Sequence, residues 1–409
     1  MNVWLITTGE PLPSSNERPH RTGILSKMLI DKGHKVSWWT TTFDHQKKSY
    51  IKNNIPKEDT SNNMNVEMLH SNTAYYKNIS LKRMINHIQV SKDFELRSKT
   101  KEIPNIIFCS YPTVELSYQA VKYGMENKVP VFIDVRDLWP DIFLNPFPKF
   151  LRPLGKIILL NYFNKARFIF KNCDGITGVS DKYLNFGLKY GGRIKSTKDG
   201  VFPLGFDSAG KNKINLDNHD FKQLNITTEN FNVWFVGTFG RTYDLSTVIK
   251  VARKIEKTHP NVSFIFTGDG EKMGLWQKES KFLKNIIFTG WVGKNELHYI
   301  SSISSLGIMA YSEGAPQGLP NKIFEYMASG LPILSSLQTE TKELISNEKL
   351  GLSYIPNNPE DLLLKLTTLI DNQELLKEMQ CNSINTFKQK FDSEIIYENL
   401  IKFLIKNKF

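Results

Sequence analysis

The sequence predicts an α/β protein with two parallel β-sheets, each covered by helices. Short runs rich in valine, isoleucine and phenylalanine alternate with amphipathic stretches along the 409 residues. This alternation is typical of parallel sheets. It stops in a polar segment at 211–230 and then starts again. The length alone favours two or three domains.

The predicted elements follow in chain order. Buried strands are expected at 3–8, 35–41, 106–110, 131–135 and 175–179, and again at 233–237, 262–267, 286–289, 305–310 and 332–335. Helices are predicted at 22–32, before Gly33, and at 245–257, before Pro260. The stretch 374–409 reads as helical. We therefore expect two Rossmann-like domains, 1–205 and 206–385, and a final helix over 386–409.

Composition excludes several classes of protein. Hydrophobic residues make up 40% and charged residues 23% of the chain, as in ordinary globular proteins. The three cysteines, Cys109, Cys173 and Cys381, lack disulfide-framework or metal-ligand spacing, which favours a reducing cytoplasm. The N-terminal segment is typical of a buried strand rather than a signal peptide, and no apolar run reaches the ~18 residues of a transmembrane helix.

The net charge of +12 is concentrated in the first half. Residues 1–205 hold 30 lysines and arginines against 18 acidic residues, whereas 206–409 hold 23 of each. The excess indicates an anionic partner such as lipid headgroups or a phosphorylated acceptor, or it simply keeps the protein soluble. We expect no nucleic-acid partner, because no binding module is recognisable.

Two loops of the first half carry candidate site residues. Gly9 allows a tight turn after the first strand, and Arg18, His20 and Arg21 precede a helix start that attracts anions. This loop could also be a polar surface loop. Arg136 and Asp137 follow the strand at 131–135, where they could orient a phosphate or supply an acid or base, or form an internal salt bridge.

The second half contains glycine-rich turns after strands. In VGTFGR (236–241), two glycines permit close approach of backbone amides to a diphosphate, and Arg241 supplies charge. Gly268 and Asp269 begin a glycine-rich turn that superficially resembles a dinucleotide fingerprint. The acidic residue expected after the next strand is missing, since Gly290-Trp291 stands there. Nicotinamide binding is therefore disfavoured.

The segment 317–332 is the richest in candidate residues. Pro320 suits a helix start, so Lys322 and the Gly318–Asn321 backbone are expected to face an anion. Glu325 lies about one turn into that helix, where a carboxylate can accept hydrogen bonds from a ribose diol.

These segments together resemble one family over nearly the whole chain. Their order is similar to that of the retaining, GT-B-fold glycosyltransferases of family 4, especially bacterial enzymes that build O-antigen, capsule and other surface polysaccharides. The matching segments are the Gly9 loop, LSKMLIDKGHKV (25–36), VRDLWPD (135–141), FVGTFGRTYDL (235–245), FTGDGE (266–271), FTGWV (288–292) and PNKIFEYMASGLPI (320–333).

The resemblance implies two domains facing a cleft, with the last helix crossing back to the N-terminal domain. It implies a nucleotide-sugar donor held mainly by the C-terminal domain, with Arg241 and Lys322 on the diphosphate and Glu325 on the ribose. The predicted donor site comprises Gly9, Gly240, Arg241, Gly268, Asp269, Trp291, Val292, Gly318, Asn321, Lys322 and Glu325. The N-terminal domain would bind the acceptor, with Arg18, His20 and Arg21 as candidates.

Arg136, Asp137 and Gln317 are the predicted catalytic residues, and two of them depart from the family pattern. Gln317 replaces the first of two motif glutamates, and Glu313 is out of register. Gln317 can hydrogen-bond a sugar hydroxyl but cannot act as a base. Arg136 stands where many relatives carry histidine, so it could stabilise a phosphate but not shuttle a proton.

The resemblance further implies retention by same-face attack, with no enzyme nucleophile and no cofactor. No metal is expected, because no DxD sequence is present and fixed cations can stabilise the leaving group. The predicted function is sugar transfer, UDP being the preferred nucleotide, to a lipid-diphosphate-linked saccharide acceptor. The alternatives are a nucleotide-sugar 2-epimerase on the same fold and an inactive nucleotide-sugar-binding subunit.

Two basic, apolar segments could rest on an anionic membrane. They are 75–92 and 147–170, and both could instead be amphipathic helices that pack on the sheet. The predicted location is the cytoplasm, peripheral at the inner face of the cytoplasmic membrane.

Overall fold

The chain divides into two compact units, each with its own parallel sheet. The structure is a computed structural model that describes residues 1–12, 19–45, 47–51, 63–77, 80–144, 147–206, 226–315 and 317–408. Unit 1 comprises Met1–Leu204 and Ile396–Phe409, and unit 2 comprises Gly205–Ile395. The predicted α/β class with two parallel sheets is confirmed.

Unit 1 is centred on a seven-stranded sheet in the order β5-β2-β1-β6-β7-β8-β9. Its strands are β1 (Asn2–Ile6), β2 (Lys35–Thr41), β5 (Met64–Leu69), β6 (Ile106–Tyr111), β7 (Val131–Val135), β8 (Gly175–Gly178) and β9 (Gly200–Val201). All neighbouring pairs are parallel. A separate antiparallel pair is formed by β3 (Phe43–Asp44) and β4 (Ser49–Tyr50). The strand order reverses between β1 and β6, where doubly wound sheets bind ligands.

Helices cover both faces of this sheet because successive side chains of a strand point to opposite faces. In β1, Val3 and Leu5 join one apolar cluster, and Trp4 and Ile6 join another. The helices are α1 (Arg21–Asp31), α2 (Leu81–Ser98), α3 (Val114–Asn127), α4 (Arg152–Ile158), α5 (Leu160–Asn172) and α6 (Asp181–Gly191). Short 3₁₀ turns at Asp141–Leu144 and Lys149–Leu151 precede α4.

Unit 2 contains a six-stranded parallel sheet in the order β12-β11-β10-β13-β14-β15. The strands are β10 (Phe231–Val236), β11 (Val262–Thr267), β12 (Ile286–Gly290), β13 (Leu306–Met309), β14 (Ile333–Ser335) and β15 (Gly351–Ser353). The helices are α7 (Leu245–Thr258), α8 (Met273–Glu279), α9 (Lys294–Ser302), α10 (Asn321–Ala328), α11 (Glu340–Asn347), α12 (Pro359–Asp371) and α13 (Gln373–Thr386). In chain order the sheet reads 3-2-1-4-5-6, with its reversal between β10 and β13.

The last helix, α14 (Ser393–Lys406), follows a π-helical turn at Phe387–Phe391 and completes unit 1. Its buried apolar side chains lie in the cluster that contains Val3 and Leu5. These side chains are Ile396, Tyr397, Leu400, Ile401 and Leu404. The predicted return of the final helix to the N-terminal domain is confirmed.

The predicted connection between the domains falls partly on residues 207–225, which lie outside the described residues. Among the helices of the described residues, none has the length and apolar character needed to cross a membrane.

Candidate functional site

The centre of the candidate site in unit 2 lies where the strand order reverses, between β10 and β13. Helix α10 is attached to both strands through Tyr326. Its buried hydroxyl donates to the carbonyls of Trp234, at 3.1 Å, and Ile308, at 3.2 Å. The same hydroxyl accepts the Val236 N–H at 3.2 Å. Helix α10 is therefore held against these two strands.

Lys322 lies in that first turn and is almost completely buried. Its Nζ is 4.0 Å from the ring centroid of Tyr243, 4.3 Å from that of Phe235 and 5.1 Å from that of Tyr311. These three rings form what we call the aromatic cage. Among the described residues, Nζ has no hydrogen-bond partner. Ring faces attract a cation, but they do not satisfy its three N–H donors.

Burial lowers the pKa of Lys322 to about 7, and Glu325 opposes this shift. The amine is thus close to the balance between its charged and neutral forms near neutral pH. An anion bound at Nζ would favour the charged form and supply the missing hydrogen bonds.

Gly237, the residue after β10, leaves room for the Lys322 amine. Its φ is +154°, and a Cβ at this position would stand 2.9 Å from Nζ. Gly268 packs its backbone against the Gly237 carbonyl, which a Cβ at residue 268 would approach within 2.0 Å. The two glycine turns after β10 and β11 are therefore pressed together, backbone on backbone.

The other predicted residues of the α10 segment lie close in sequence but differ in exposure and in hydrogen bonding. The predicted helix start is confirmed, with Pro320 as N-cap and the exposed Asn321 as first residue. The Gln317 carbonyl accepts the Thr339 hydroxyl at 2.8 Å. The buried Gln317 Oε1 lacks a hydrogen-bond partner in the described part of the chain.

Two further predicted donor residues flank Lys322. The Gly318 carbonyl accepts the hydroxyls of Thr339 and Thr341. Glu325 is half-buried, one turn into α10.

The remaining predicted donor residues lie at the surface of unit 2. Arg241 is 88% exposed and pairs with Glu271 at 3.2 Å. Its guanidinium is therefore not held in the cage with Lys322. A Cβ at Gly240 would meet no atom within 4 Å, so this glycine has open space.

Three predicted donor residues come from the loops after β11 and β12. The exposed Asp269 accepts the Gly270 N–H at 2.6 Å. Trp291 is exposed, and Val292 packs partly on the apolar cluster that includes Tyr311.

In unit 1, a cavity of about 210 Å³ lies at the corresponding reversal, between β1 and β6. It is lined by Gly9, which has φ +81°, by Arg136, and by residues that the sequence analysis did not select. Those residues include His45, Tyr75, Arg83, Asn86 and His87.

Arg136 belongs to a buried network of four charged groups. Its guanidinium pairs with Glu10 and, at 2.7 Å, with Asp134. Burial alone would lower the pKa of Arg136, but Glu10 and Asp134 reverse this and raise it. For Asp134 the opposite holds: burial alone would raise the pKa of this carboxyl, but Arg21 and Arg136 together hold it below its usual value. Both groups are therefore charged at neutral pH.

The structure corrects the prediction for Arg21. Its side chain is 1% exposed, pairs with Asp134 at 2.9 Å, and donates to the carbonyls of Phe202 and Pro203. It braces the sheet edge and is closed off from an acceptor.

The other predicted residues of unit 1 occupy different positions. His20 is exposed at the N-cap of α1, and Arg18 lies outside the described residues. The carboxylate of Asp137 accepts the Leu138 N–H at 2.7 Å and the Trp139 indole N–H at 3.1 Å. Asp137 therefore shapes the turn after β7.

Two histidines of the unit 1 cavity are neutral. Burial, followed by Arg83, lowers the pKa of His45 to about 4 and that of His87 to about 3. His45 Nδ1 lies 2.7 Å from the Tyr75 hydroxyl. The cavity thus offers neutral hydrogen-bonding groups beside the cations Arg83 and Arg136.

Comparison with known proteins finds a family match in the unit that holds the aromatic cage. Residues 217–386 match the family model described as glycosyl transferases group 1. This range includes β10 to β15, α10 and Lys322. The matched range lies within unit 2 (Gly205–Ile395).

One curated relative of this chain is an uncharacterised glycosyltransferase of Methanocaldococcus jannaschii. It is 25% identical over 230 residues, which are 56% of this chain and 57% of the relative. The match therefore spans little more than half of the relative's length.

Several solved structures share the fold of the whole chain, which is the GT-B fold. Sucrose-phosphate synthase from Thermosynechococcus elongatus has a TM-score of 0.69 at 16% identity, over 99% of this chain and 98% of that one. HepE of Anabaena in complex with UDP and glucose has a TM-score of 0.65 at 15% identity, over 99% of this chain and 100% of that one. The UDP-GlcNAc 2-epimerase from Neisseria meningitidis, bound to UDP-GlcNAc, has a TM-score of 0.66 at 14% identity, over 99% of this chain and 100% of that one.

Lys322 was predicted from the sequence as a site residue, but the aromatic cage around it was not. A signal was present, because Phe235 lies at the end of β10 and Tyr311 closely follows β13. Adjacent parallel strands place their carboxyl ends at the same edge of the sheet. There the ring of Tyr243 contacts both others, with centroids 5.3 Å from Phe235 and 4.7 Å from Tyr311. Lys322 is buried because its Nζ lies among these three rings.

Proposed function

We propose that this chain transfers a sugar from a UDP-sugar to a lipid-diphosphate-linked saccharide acceptor, in the assembly of a bacterial surface polysaccharide. The observation that carries the proposal is the buried Nζ of Lys322. It lacks a hydrogen-bond partner among the described residues and lies at the strand reversal of the group 1 glycosyltransferase domain.

Lys322 would hold the diphosphate of the donor, and Glu325, one turn further along α10, would accept hydrogen bonds from the ribose. As the bond between the sugar C1 and the diphosphate oxygen breaks, negative charge grows on the departing UDP. A fixed cation at this point stabilises that charge more strongly than the charge of the intact donor.

The acceptor hydroxyl would form the new bond to C1 on the same face, and its proton would pass to the departing phosphate. Gln317 can donate a hydrogen bond to the sugar or the diphosphate but cannot take the proton. We assign the acceptor to unit 1, where the 210 Å³ cavity combines Arg136 and Arg83 with neutral histidines. The basic excess of unit 1 favours contact with an anionic membrane at the cytoplasmic face.

UDP is the proposed nucleotide because HepE and the 2-epimerase, both of the same fold, were solved with UDP or a UDP-sugar. The epimerase likeness also keeps a second function open, namely inversion at C2 of a UDP-sugar. The two functions differ in their products, since an epimerase converts the donor when no acceptor is present.

The test is a calorimetric titration of the full chain with UDP, GDP, ADP and dTDP. We expect UDP to bind best, and Glu325→Ala to weaken UDP binding about tenfold. Glu313→Ala removes an exposed glutamate from the same segment and should leave binding unchanged. Failure of all four nucleotides to bind would refute the proposal.

Turnover is then assayed with UDP-sugars, with and without lipid-linked acceptors. Release of UDP only with acceptor supports the transferase. Conversion of the sugar without acceptor establishes the epimerase, and tight binding with neither product would show a binding subunit.

A further inference from the structure

Large apolar side chains are exposed around α4 in unit 1. Phe150, Leu154, Ile157, Ile158 and Leu160 are between 52 and 79% exposed, within eleven consecutive positions. Scattered single apolar residues are normal on protein surfaces, but a contiguous group marks contact with a partner or a membrane.

The charge of the same segment selects a membrane over a protein partner. Residues 149–171 contain six lysines and arginines and no acidic residue. Apolar side chains interleaved with basic ones are typical of helices that lie in the interface of an anionic bilayer, where both kinds of residue find a favourable environment.

A cavity of about 300 Å³ beside this surface gathers cations from three helices. Lys156 comes from α4, Arg167 from α5 and Lys189 from α6. Within the described part of the chain, none of the three forms a salt bridge, and Arg167 donates to the Asn164 side chain at 2.9 Å.

The cavity wall also includes a carboxylate, that of Asp141. It accepts the Tyr190 hydroxyl at 2.5 Å. Three cations against one carboxylate leave the cavity positive. Its volume is at the lower end of the roughly 300–1,000 Å³ of small-molecule sites, enough for a phosphate with part of the group it is attached to.

We infer that this cavity binds the phosphate-bearing headgroup of an anionic membrane lipid, while the apolar side chains around α4 enter the acyl boundary. This inference rests on the proposed function, which includes a membrane contact, and it locates that contact at α4 and the neighbouring cavity. The headgroup site uses none of the residues assigned to the nucleotide or the acceptor, so it would anchor the enzyme and not supply its substrate.

The test measures binding of the full chain to sedimented vesicles at low salt. The vesicles are pure phosphatidylcholine or phosphatidylcholine with about one third phosphatidylglycerol. We expect binding to the anionic vesicles only. Each basic residue near an anionic surface contributes about fivefold to affinity, so Arg167→Gln with Lys189→Gln should weaken binding roughly 25-fold.

The matched control is Lys27→Gln with Lys99→Gln, which removes the same charge from exposed positions on α1 and after α2. We expect less than a threefold effect from this pair. Equal weakening by both pairs would show diffuse attraction and overturn the site. Ile157→Gln should weaken vesicle binding without a change of charge, and no effect would overturn the apolar contact.

Soluble glycerol 3-phosphate separates a lipid headgroup from a free phosphate compound. Saturable binding of glycerol 3-phosphate without vesicle binding would overturn the inference in favour of a soluble ligand. UDP titration of the same variants separates this inference from the proposed function. Normal UDP binding with lost vesicle selectivity implicates the headgroup site alone, whereas absence of UDP binding in the unsubstituted chain refutes only the nucleotide site.

Discussion

Lys322 occupies a position that suits a neutral side chain, and yet the proposed function needs its charge. Between pH 7 and about 10 the free protein holds this amine mostly neutral, because its pKa is about 7. Bound diphosphate would keep it protonated, so a proton must be taken up on binding. UDP affinity should therefore fall by up to tenfold per pH unit from pH 7 to 9, as measured by calorimetry.

Lys322→Met should remove this pH dependence and weaken UDP binding at pH 7 by at least tenfold. The same variant should melt at a higher temperature without nucleotide. The unfolded chain binds one more proton than the folded chain between pH 7 and 10.5, so stability from this residue rises across that window and is lowest below it. Lys250→Met, at an exposed position of α7, is the control and should change neither property. An unchanged pH slope in Lys322→Met would contradict the argument.

At the scale of single residues, the sequence indicates which residues are site candidates better than it indicates which side chains surround them. The glycine-rich turns and the lysine of α10 can be recognised from the sequence because their spacing along the chain is local. That Lys322 is caged by aromatic rings, or that Arg21 is buried against Asp134, depends on contacts between distant segments. Lys322 and Arg21 therefore look equivalent in the sequence, although Lys322 lies at the candidate site and Arg21 supports the sheet.

At the scale of elements, the two glycine turns after β10 and β11 set the position of Lys322. Gly237→Ala would place a methyl group against Nζ at a backbone conformation that only glycine adopts readily. We expect at least a tenfold loss of UDP affinity and a lowered melting temperature. Gly274→Ala, in α8 with no atom within 4 Å of its Cβ, should be neutral or slightly stabilising. Equal UDP affinity in both variants would show that the close approach is unimportant.

Strand prediction succeeded for the central strands and missed three of the four edge strands of the two described parallel sheets; the fourth, β12, was predicted at 286–289. The ranges for β2, β7 and β11 were predicted to the residue, since central strands of parallel sheets are continuous apolar runs. The edge strand β5 was missed because its sequence, MNVEML, mixes polar and apolar residues. The edge strand β15 has three residues, too few for a pattern.

At the scale of the whole molecule, two separate cores should unfold as two transitions. Leu400 of α14 is fully buried in the core of unit 1. Leu400→Ala should destabilise that unit by about 2–5 kcal/mol. In scanning calorimetry we expect one transition to move to lower temperature, while UDP raises only the other. A UDP-induced rise of both transitions, or a single shift of the whole profile, would contradict separate cores.

The return of α14 to unit 1 also orders events at the ribosome. The core of unit 1 begins with Val3 and Leu5 but is closed by Leu400 and Leu404. Unit 2, made in between, is continuous in sequence. At about 5–20 residues per second, the nascent N-terminal part waits roughly 10–40 s for its last helix. The half that is synthesised first is thus the half that matures last, and chaperones would meet it with one face of its sheet covered by α1 but not yet by α14.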